Sequence, residues 1–225
     1  ARAGNAEVIE TILEHMDIDL PNCVDEHGQT LLHVAVIGRN ETIISELLSE
    51  EVPVNHQCHK QKTALHIAIM KRNTPINVIR SLCSYGSDLG LQNVDGNTAL
   101  HLLFLHPVAE KTLLERLDAL LDRMSVAQMN VKNNNGATAL ICAASQYELN
   151  QEGTRVLLKA GVDVNDCDND GLSALTWAVR RNHVKLCQQL IYFGAVIENQ
   201  DELFAGAQKR VVDVILEALE GKLEW

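Results

Sequence analysis

The chain has 225 residues, 46% hydrophobic, 4% aromatic and 22% charged, with a formal net charge of −11. Its 4 prolines and its recurring Leu, Ile and Val exclude a wholly disordered polymer, and the length suits one large domain or a short array. No uncharged apolar run is long enough to span a bilayer, and the acidic balance argues against a non-specific nucleic-acid binder, whose backbone contacts depend on Lys and Arg.

Taken in chain order, residues 6–16 have the pattern of an amphipathic helix and residues 17–22 that of a turn leaving it. They read as the second half of a unit whose first half is missing, so residues 1–22 are expected to be a partial repeat. No secretory leader is visible, and any segment preceding Ala1 is expected to have been removed or to lie outside this chain.

Residues 23–57 contain the first full copy of a repeated unit, marked by Gly28-Gln29-Thr30-Leu31-Leu32-His33. The pattern returns as Lys62-Thr63-Ala64-Leu65-His66 in residues 58–92 and as Gly96-Asn97-Thr98-Ala99-Leu100-His101 in residues 93–131. It returns again as Gly136-Ala137-Thr138-Ala139-Leu140 in residues 132–166 and as Gly171-Leu172-Ser173-Ala174-Leu175 in residues 167–198. The Thr or Ser positions are spaced by 33, 35, 40 and 35 residues, one period with one long step.

Each Thr or Ser can satisfy free N–H groups at the start of a helix. Leu32, Ala35 and Val36, with their counterparts Leu65, Ala68 and Ile69, then form an apolar stripe at helical spacing. Small residues at Ala35, Ala68, Ala143 and Ala178 let neighbouring helices approach, whereas Leu103 in the third copy predicts wider or shifted packing. A second helix ends near Leu47-Leu48, Leu82-Cys83, Leu120-Leu121, Leu157-Leu158 and Leu190-Ile191. One such pair cannot bury its apolar face alone, and stacking the copies builds a continuous core.

Two copies are irregular. In residues 93–131 the first helix is expected to end near Pro107, with the extra residues lengthening the inter-helix loop, the second helix, or the hairpin around residues 125–130. That second helix has apolar Leu113, Leu114, Leu117, Leu120 and Leu121 with intervening Glu115, Arg116 and Asp118. In the fourth copy residues 147–152 are inserted between the helices, as a neutral loop or a contact element. Residues 201–207 and 209–220 read as a charged terminal helix pair, so residues 199–225 are expected to be a cap or a partial repeat.

These motifs resemble the ankyrin repeat family over nearly the whole chain. Leu31, Ala64, Ala99, Ala139 and Ala174 stand where that family usually has proline, Ile141 and Thr176 where it has histidine, and Gln61 where it has glycine. The resemblance implies an all-α solenoid of stacked helix-turn-helix units with short β-hairpin-like loops. It also implies a concave contact surface made by the hairpin tips and the exposed rims of the first helices. Carried onto this sequence, that surface takes Glu26, His27, Gln29, Ile37 and Arg39 from the first copy, and His59, Lys60, Lys62, Met70, Lys71 and Arg72 from the second. The third contributes Val94, Asp95, Asn97, Leu105 and His106, and the fourth Asn134, Asn135, Ala137, Ser145 and Gln146. Asn169, Asp170, Leu172, Arg180 and Arg181 come from the fifth. The basic patch of Lys60, Lys62, Lys71 and Arg72 suits an acidic segment of a partner, with Ile37, Met70, Leu105 and Leu172 as exposed apolar anchors.

Chemistry is sparse. His33, His66 and His101 recur with the repeat and are expected to hydrogen-bond neighbouring turns rather than to share a metal. Asp166, Asp168 and Asp170 lack the acidic end ligand of a calcium loop, and no nucleophile elbow, dinucleotide turn or phosphate loop occurs. No cofactor or metal is expected. Asn55 and Asn165 stand where many ankyrin proteins carry an asparagine open to hydroxylation, and turn-fixing hydrogen bonds explain them equally well. Cys23, Cys58, Cys83, Cys142, Cys167 and Cys187 form no CxxC pair, so the expectation is reduced thiols in a cytoplasmic or nuclear protein.

The leading functional expectation is therefore a non-enzymatic protein-interaction module or scaffold, monomeric by itself, with no nucleic-acid partner. Its partner segment is acidic or mixed apolar and charged. The alternative is a regulatory array within a larger enzyme, channel or transcriptional regulator. Inhibitors of Rel-type transcription factors share the acidity and the uneven repeat lengths, but their phosphorylated degradation segment is absent from this sequence.

Overall fold

A computed structural model describes residues 23–50, 52–146, 151–197, 203–204 and 207–219. The expected half-unit in residues 1–22, residues 147–150 of the insertion and most of the segment 198–206 lie outside the described residues. Those described are all-α: their extended pairing is limited to two isolated bridges, Val24 with Thr30 and Cys167 with Ser173.

Each copy supplies two helices. The first helices are α1 (Leu31–Gly38), α3 (Ala64–Met70), α5 (Ala99–Leu105), α8 (Ala139–Ser145) and α10 (Ala174–Arg180). The second helices are α2 (Glu41–Ser49), α4 (Ile76–Ser84), α6 (Glu110–Leu121), α9 (Gln151–Lys159) and α11 (Val184–Tyr192). Within each row every helix packs on the one before it, α1 on α3 on α5 on α8 on α10, and α2 on α4 on α6 on α9 on α11. The rows also pack on each other, so the core runs along the stack.

Local chemistry starts each first helix where the motif places it. The Thr63 hydroxyl accepts from the His66 N–H at 3.3 Å, the Thr138 hydroxyl from Ile141 at 3.4 Å and the Ser173 hydroxyl from Thr176 at 3.3 Å. Leu32, Leu65, Leu100, Leu140 and Leu175 are each at most 2% exposed and line up copy by copy as the apolar spine. Leu103 is fully buried, and α5 packs on both α3 and α8.

The long third copy absorbs its extra residues in two places. α6 has 12 residues where α2, α4, α9 and α11 have 9, and a short helix α7 (Val126–Met129) occupies the hairpin. Ser125 starts α7 by accepting from the Gln128 N–H at 3.3 Å. Arg116, read from the sequence as one of the polar residues between the leucines of α6, is instead fully buried. In the fourth copy Gln151 and Glu152, expected in the insertion, form the first turn of α9. A last helix, α12 (Lys209–Leu219), packs on α11 and buries Val211 and Ile215 completely.

Candidate functional site

The turn before each first helix is built around one side chain. The Asp25 carboxylate accepts from the His27 and Gln29 amides, both at 2.8 Å, and Asn93, Asn133 and Asp168 do the same for the amides two and four residues on. These amides hold the Asp25 carboxyl below its ordinary pKa. In the second copy Cys58 replaces the Asx residue, and Gln61 takes the left-handed φ of +53° that glycines 28, 96, 136 and 171 adopt elsewhere. There the Gln57 amide reaches the Gln61 carbonyl at 2.8 Å and holds the turn from outside.

The turn tips join into one strip. The His59 N–H donates to the His27 carbonyl at 3.0 Å, Val94 to Lys60 at 3.3 Å, Asn134 to Asp95 at 3.1 Å and Asn169 to Asn135 at 2.9 Å. Side-chain amides reinforce it, Asn134 to the Val94 carbonyl and Asn169 to the Asn134 carbonyl. An added Cβ at Gly136 would lie 2.7 Å from the Asn169 backbone nitrogen, so this close approach requires glycine. The ladder brings the expected tip residues Glu26, His27, His59, Lys60, Val94, Asp95, Asn134, Asn135, Asn169 and Asp170 into one exposed edge.

The first-helix rims run beside this edge. Ile37, Arg39, Arg72 and Arg180 are exposed, while Gln29, Lys62, Lys71, His106, Ser145, Gln146 and Arg181 are half-buried. Three of these also tie neighbouring copies together: Lys71 Nζ donates to the Ile37 carbonyl at 3.3 Å, Arg181 Nε to the Ser145 carbonyl at 2.8 Å, and the Gln146 carbonyl meets His183 Nε2 at 2.7 Å. Two expectations need correction. Met70 and Leu105 are not exposed anchors but half-buried residues packed against the core, and Leu172 is half-buried too; of the expected contact residues, Val94, 47% exposed, and Ile37, 36% exposed, are the apolar ones open to solvent. Asn97 is buried, its side chain accepting from Asn133 and its carbonyl meeting His66, so it serves the turn.

The three recurrent histidines link copies as the sequence implied. His33, His66 and His101 are each 1% exposed. Nδ1 faces the N–H and hydroxyl of Thr30, Thr63 or Thr98, while Nε2 reaches the Lys62, Asn97 or Ala137 carbonyl of the next copy at 2.9, 3.2 and 3.0 Å. That arrangement needs Nε2–H and an unprotonated Nδ1. Burial lowers the pKa of all three, that of His66 to about 4. An unfolded chain takes up these protons near pH 6.5, whereas the native chain resists until about pH 4 at His66. Stability is therefore full above pH 6.5 and falls as pH drops toward 4, by roughly 3 kcal/mol from His66 alone. Urea midpoints measured from pH 7 to 5 should decline, and less steeply in His66→Gln; a flat profile would refute the assignment.

Asn55 and Asn165 bridge to the following copy. Asn55 donates to the Gly86 carbonyl and accepts from the Asp88 N–H, and Asn165 repeats this with Gly194 and Val196. The six cysteines are separate thiols, and burial raises the Cys83, Cys142 and Cys187 pKa values to about 11, 12 and 12. Among the described residues no group of three or more His, Cys, Asp or Glu is arranged to hold a metal ion. No described helix is long and apolar enough to cross a membrane.

Between the tips and rims of the last three copies lies an open groove of about 660 Å³. Its lining includes the expected Asp95, Leu105, Asn135, Ser145, Gln146, Asn169, Asp170 and Arg181, and also Asp168 and Trp177, which sequence reasoning missed. Asp168 Oδ2 accepts from the Trp177 indole N–H at 2.8 Å, so the aspartate sets its turn with one oxygen and orients the ring with the other. The Arg180 and Arg181 guanidinium carbons lie 5.9 and 5.5 Å from the ring centroid. Trp177 occupies the position where the other copies have Val34, Ile67, Leu102 and Cys142, so aligning the copies one position further exposes the indole.

The ankyrin repeats profile, which spans three copies of the repeat, matches residues 1–93 and 105–201. A mouse protein, the B-cell lymphoma 3 protein homolog, is 32% identical over 193 residues, which are 82% of this chain and 41% of that protein. Palmitoyltransferase AKR1 of Lachancea kluyveri is 26% identical over 194 residues, 85% of this chain and 25% of that enzyme. The chain thus spans less than half the length of either relative. Among solved structures, the ankyrin repeat domain of Bcl-3, described as a unique member of the IkappaB protein family, aligns with a TM-score of 0.77 at 24% identity, covering 93% of this chain and 91% of that one. The profile runs through the same copies that the fold stacks side by side, and the chain belongs to the ankyrin repeat family.

Proposed function

We propose that the array is a non-enzymatic protein-interaction module whose tip-and-rim groove receives an acidic segment of a partner protein. One observation carries this reading. On a chain of net charge −11, the strip holds seven cations (Arg39, Lys60, Lys62, Lys71, Arg72, Arg180 and Arg181) against the five carboxylates of Asp25, Glu26, Asp95, Asp168 and Asp170. The excess of positive charge lies where partners dock in the family, and the acidic remainder of the chain disfavours binding of nucleic acid along its length.

Reversing Lys60, Lys62, Lys71 and Arg72 to Glu is expected to weaken partner capture from the native cell at least about tenfold, with the circular-dichroism spectrum and unfolding midpoint near wild type. Unchanged capture by the folded variant would remove the patch from the proposal. The module acts as a monomer in a reducing compartment, cytoplasm or nucleus, a reading supported by separate and largely buried thiols.

A narrower reading is favoured by the 32% identity to the mouse B-cell lymphoma 3 protein homolog: the array regulates Rel-type transcription factors from within a longer chain. Co-purification with a Rel-type dimer, lost on the same charge reversal, would support it, and failure to bind any such dimer at micromolar concentration would reject it. The palmitoyltransferase relative shows that such an array also occurs inside an enzyme.

A further inference from the structure

The groove cations are not spread evenly. Lys60, Lys71 and Arg72 stand at the second tip and at the end of α3, and Arg180 and Arg181 stand at the end of α10. The rims between them, at the ends of α5 and α8, offer Leu105, His106, Ser145 and Gln146. Burial and the nearby Lys62 charge lower the His106 pKa, so that ring is neutral at pH 7 and adds no cation to the gap. Lys60, Lys71, Arg72 and Arg180 have no carboxylate within ion-pair distance among the described residues, so their charges are not neutralised by a neighbour.

The far cluster is also held in place. The Asp168–indole hydrogen bond fixes the ring of Trp177, Arg180 and Arg181 both lie near the ring, and Arg181 is further tied to the Ser145 carbonyl. A guanidinium positioned this way loses less side-chain freedom when it meets a carboxylate than a free one does. From α3 to α10 the row takes three helix-to-helix steps, via α5 and α8. At 8–10 Å per step the two clusters are about 27 Å apart. An extended chain covers that distance in about eight residues.

We infer that the groove recognises an extended partner segment carrying carboxylates at both ends of a neutral stretch of about eight residues, one end on Lys60, Lys71 and Arg72 and the other on Arg180 and Arg181 beside Trp177. This rests on the groove reading above and adds to it a spacing and a second anchor. The occupant is a protein segment rather than a nucleic acid, because the rims between the clusters carry no cation and Asp95, Asp168 and Asp170 line the groove, an arrangement that disfavours a chain with a phosphate at every residue.

The probes are synthetic peptides with two glutamates at each end of a neutral spacer of about eight residues, or with all the glutamates at one end, matched in composition. Trp177 fluorescence in a Trp225→Phe background reports the far anchor, and calorimetry reports affinity. The spaced peptide is expected to bind at least about tenfold more tightly than the clustered one and to change Trp177 emission. Arg180→Glu and the pair Lys71→Glu with Arg72→Glu should each abolish that advantage, and the two reversals together should cost less than the product of their separate effects. Equal affinity for both peptides, with sensitivity to Arg72 but not Arg180, would overturn the two-anchor inference while leaving an acidic-segment groove standing. Binding of neither peptide would overturn it as well, and unchanged partner capture by the charge-reversed variant would then bring down the groove reading separately. Tighter binding of a single-stranded oligonucleotide of equal length would overturn the inference too.

Discussion

Leu65→Asp is expected to abolish cooperative unfolding of the first two copies with the rest of the array. Leu65 is 1% exposed on α3, between α1 and α5. Truncating such a leucine to alanine alone costs about 3–5 kcal/mol, and placing a carboxylate in the same volume adds a desolvation penalty of several more. Together these approach the roughly 5–15 kcal/mol that holds a whole domain. The array is quasi-one-dimensional, so the damage stays local: α8 to α11 keep their own neighbours and should stay folded. Hydrogen exchange should show deprotection of α1, α3 and their flanking turns, with α10 and α11 protected, and thermal unfolding should split or start earlier. Ile37→Asp, on the exposed rim, should stay within about 0.5 kcal/mol of wild type. A Leu65→Asp chain with the wild-type midpoint would mean that the register of the stack is wrong.

The regular parts of the fold were legible because each copy repeats the same local chemistry. Thr63 or Ser173 before a helix, and Leu65 or Leu175 in its first turn, each carry their meaning within a few residues. What escaped depends on contacts between copies. The sequence marks Gln61 as a missing glycine but cannot show Gln57 holding the turn from outside. Met70 and Leu105 occupy positions that the repeat assigns to the rim, and only the stack decides how much of each the next copy covers. Trp177 escaped for a related reason. Motif alignment selects rim and tip positions, whereas the indole lies about one helical turn before the rim residue Arg180 and becomes part of the groove through its bond to Asp168. Asp168 itself read as a turn residue, because its second oxygen has no signature in one dimension.

Arg116 is the sharpest case, and it sets the second large effect. A charged residue between leucines on α6 reads as a solvated position, yet Arg116 is 1% exposed. Nη1 donates to the Ile69 carbonyl at 2.9 Å, and Nη2 meets the Lys71, Arg72 and Thr74 carbonyls at 3.0, 2.9 and 3.2 Å. These carbonyls lie at the end of α3 and just past it, where an α-helix runs out of its own donors and its dipole favours a cation. Burial lowers the Arg116 pKa, but a guanidinium still stays charged at neutral pH. Arg116→Met keeps much of the aliphatic volume and removes every donor, leaving a row of carbonyls unserved. Relief of the buried charge offsets part of that loss, so the net cost is about 3–5 kcal/mol. On a chain of this size that is a fall of very roughly 6–20 °C in the unfolding midpoint. Arg116→Lys should recover only part of it, since one ammonium cannot reach so many acceptors. Arg80→Met is the surface control: its ion pair with Asp118, 3.8 Å and exposed, should be worth less than about 1 kcal/mol. The segment that Arg116 holds carries Lys71 and Arg72, so Arg116→Met should also speed amide exchange across residues 71–74. It should weaken binding of the spaced acidic peptide without altering any groove side chain. A variant that unfolds at the wild-type temperature and exchanges no faster there would show that those carbonyls find other donors, and that α6 does not hold the near anchor in place.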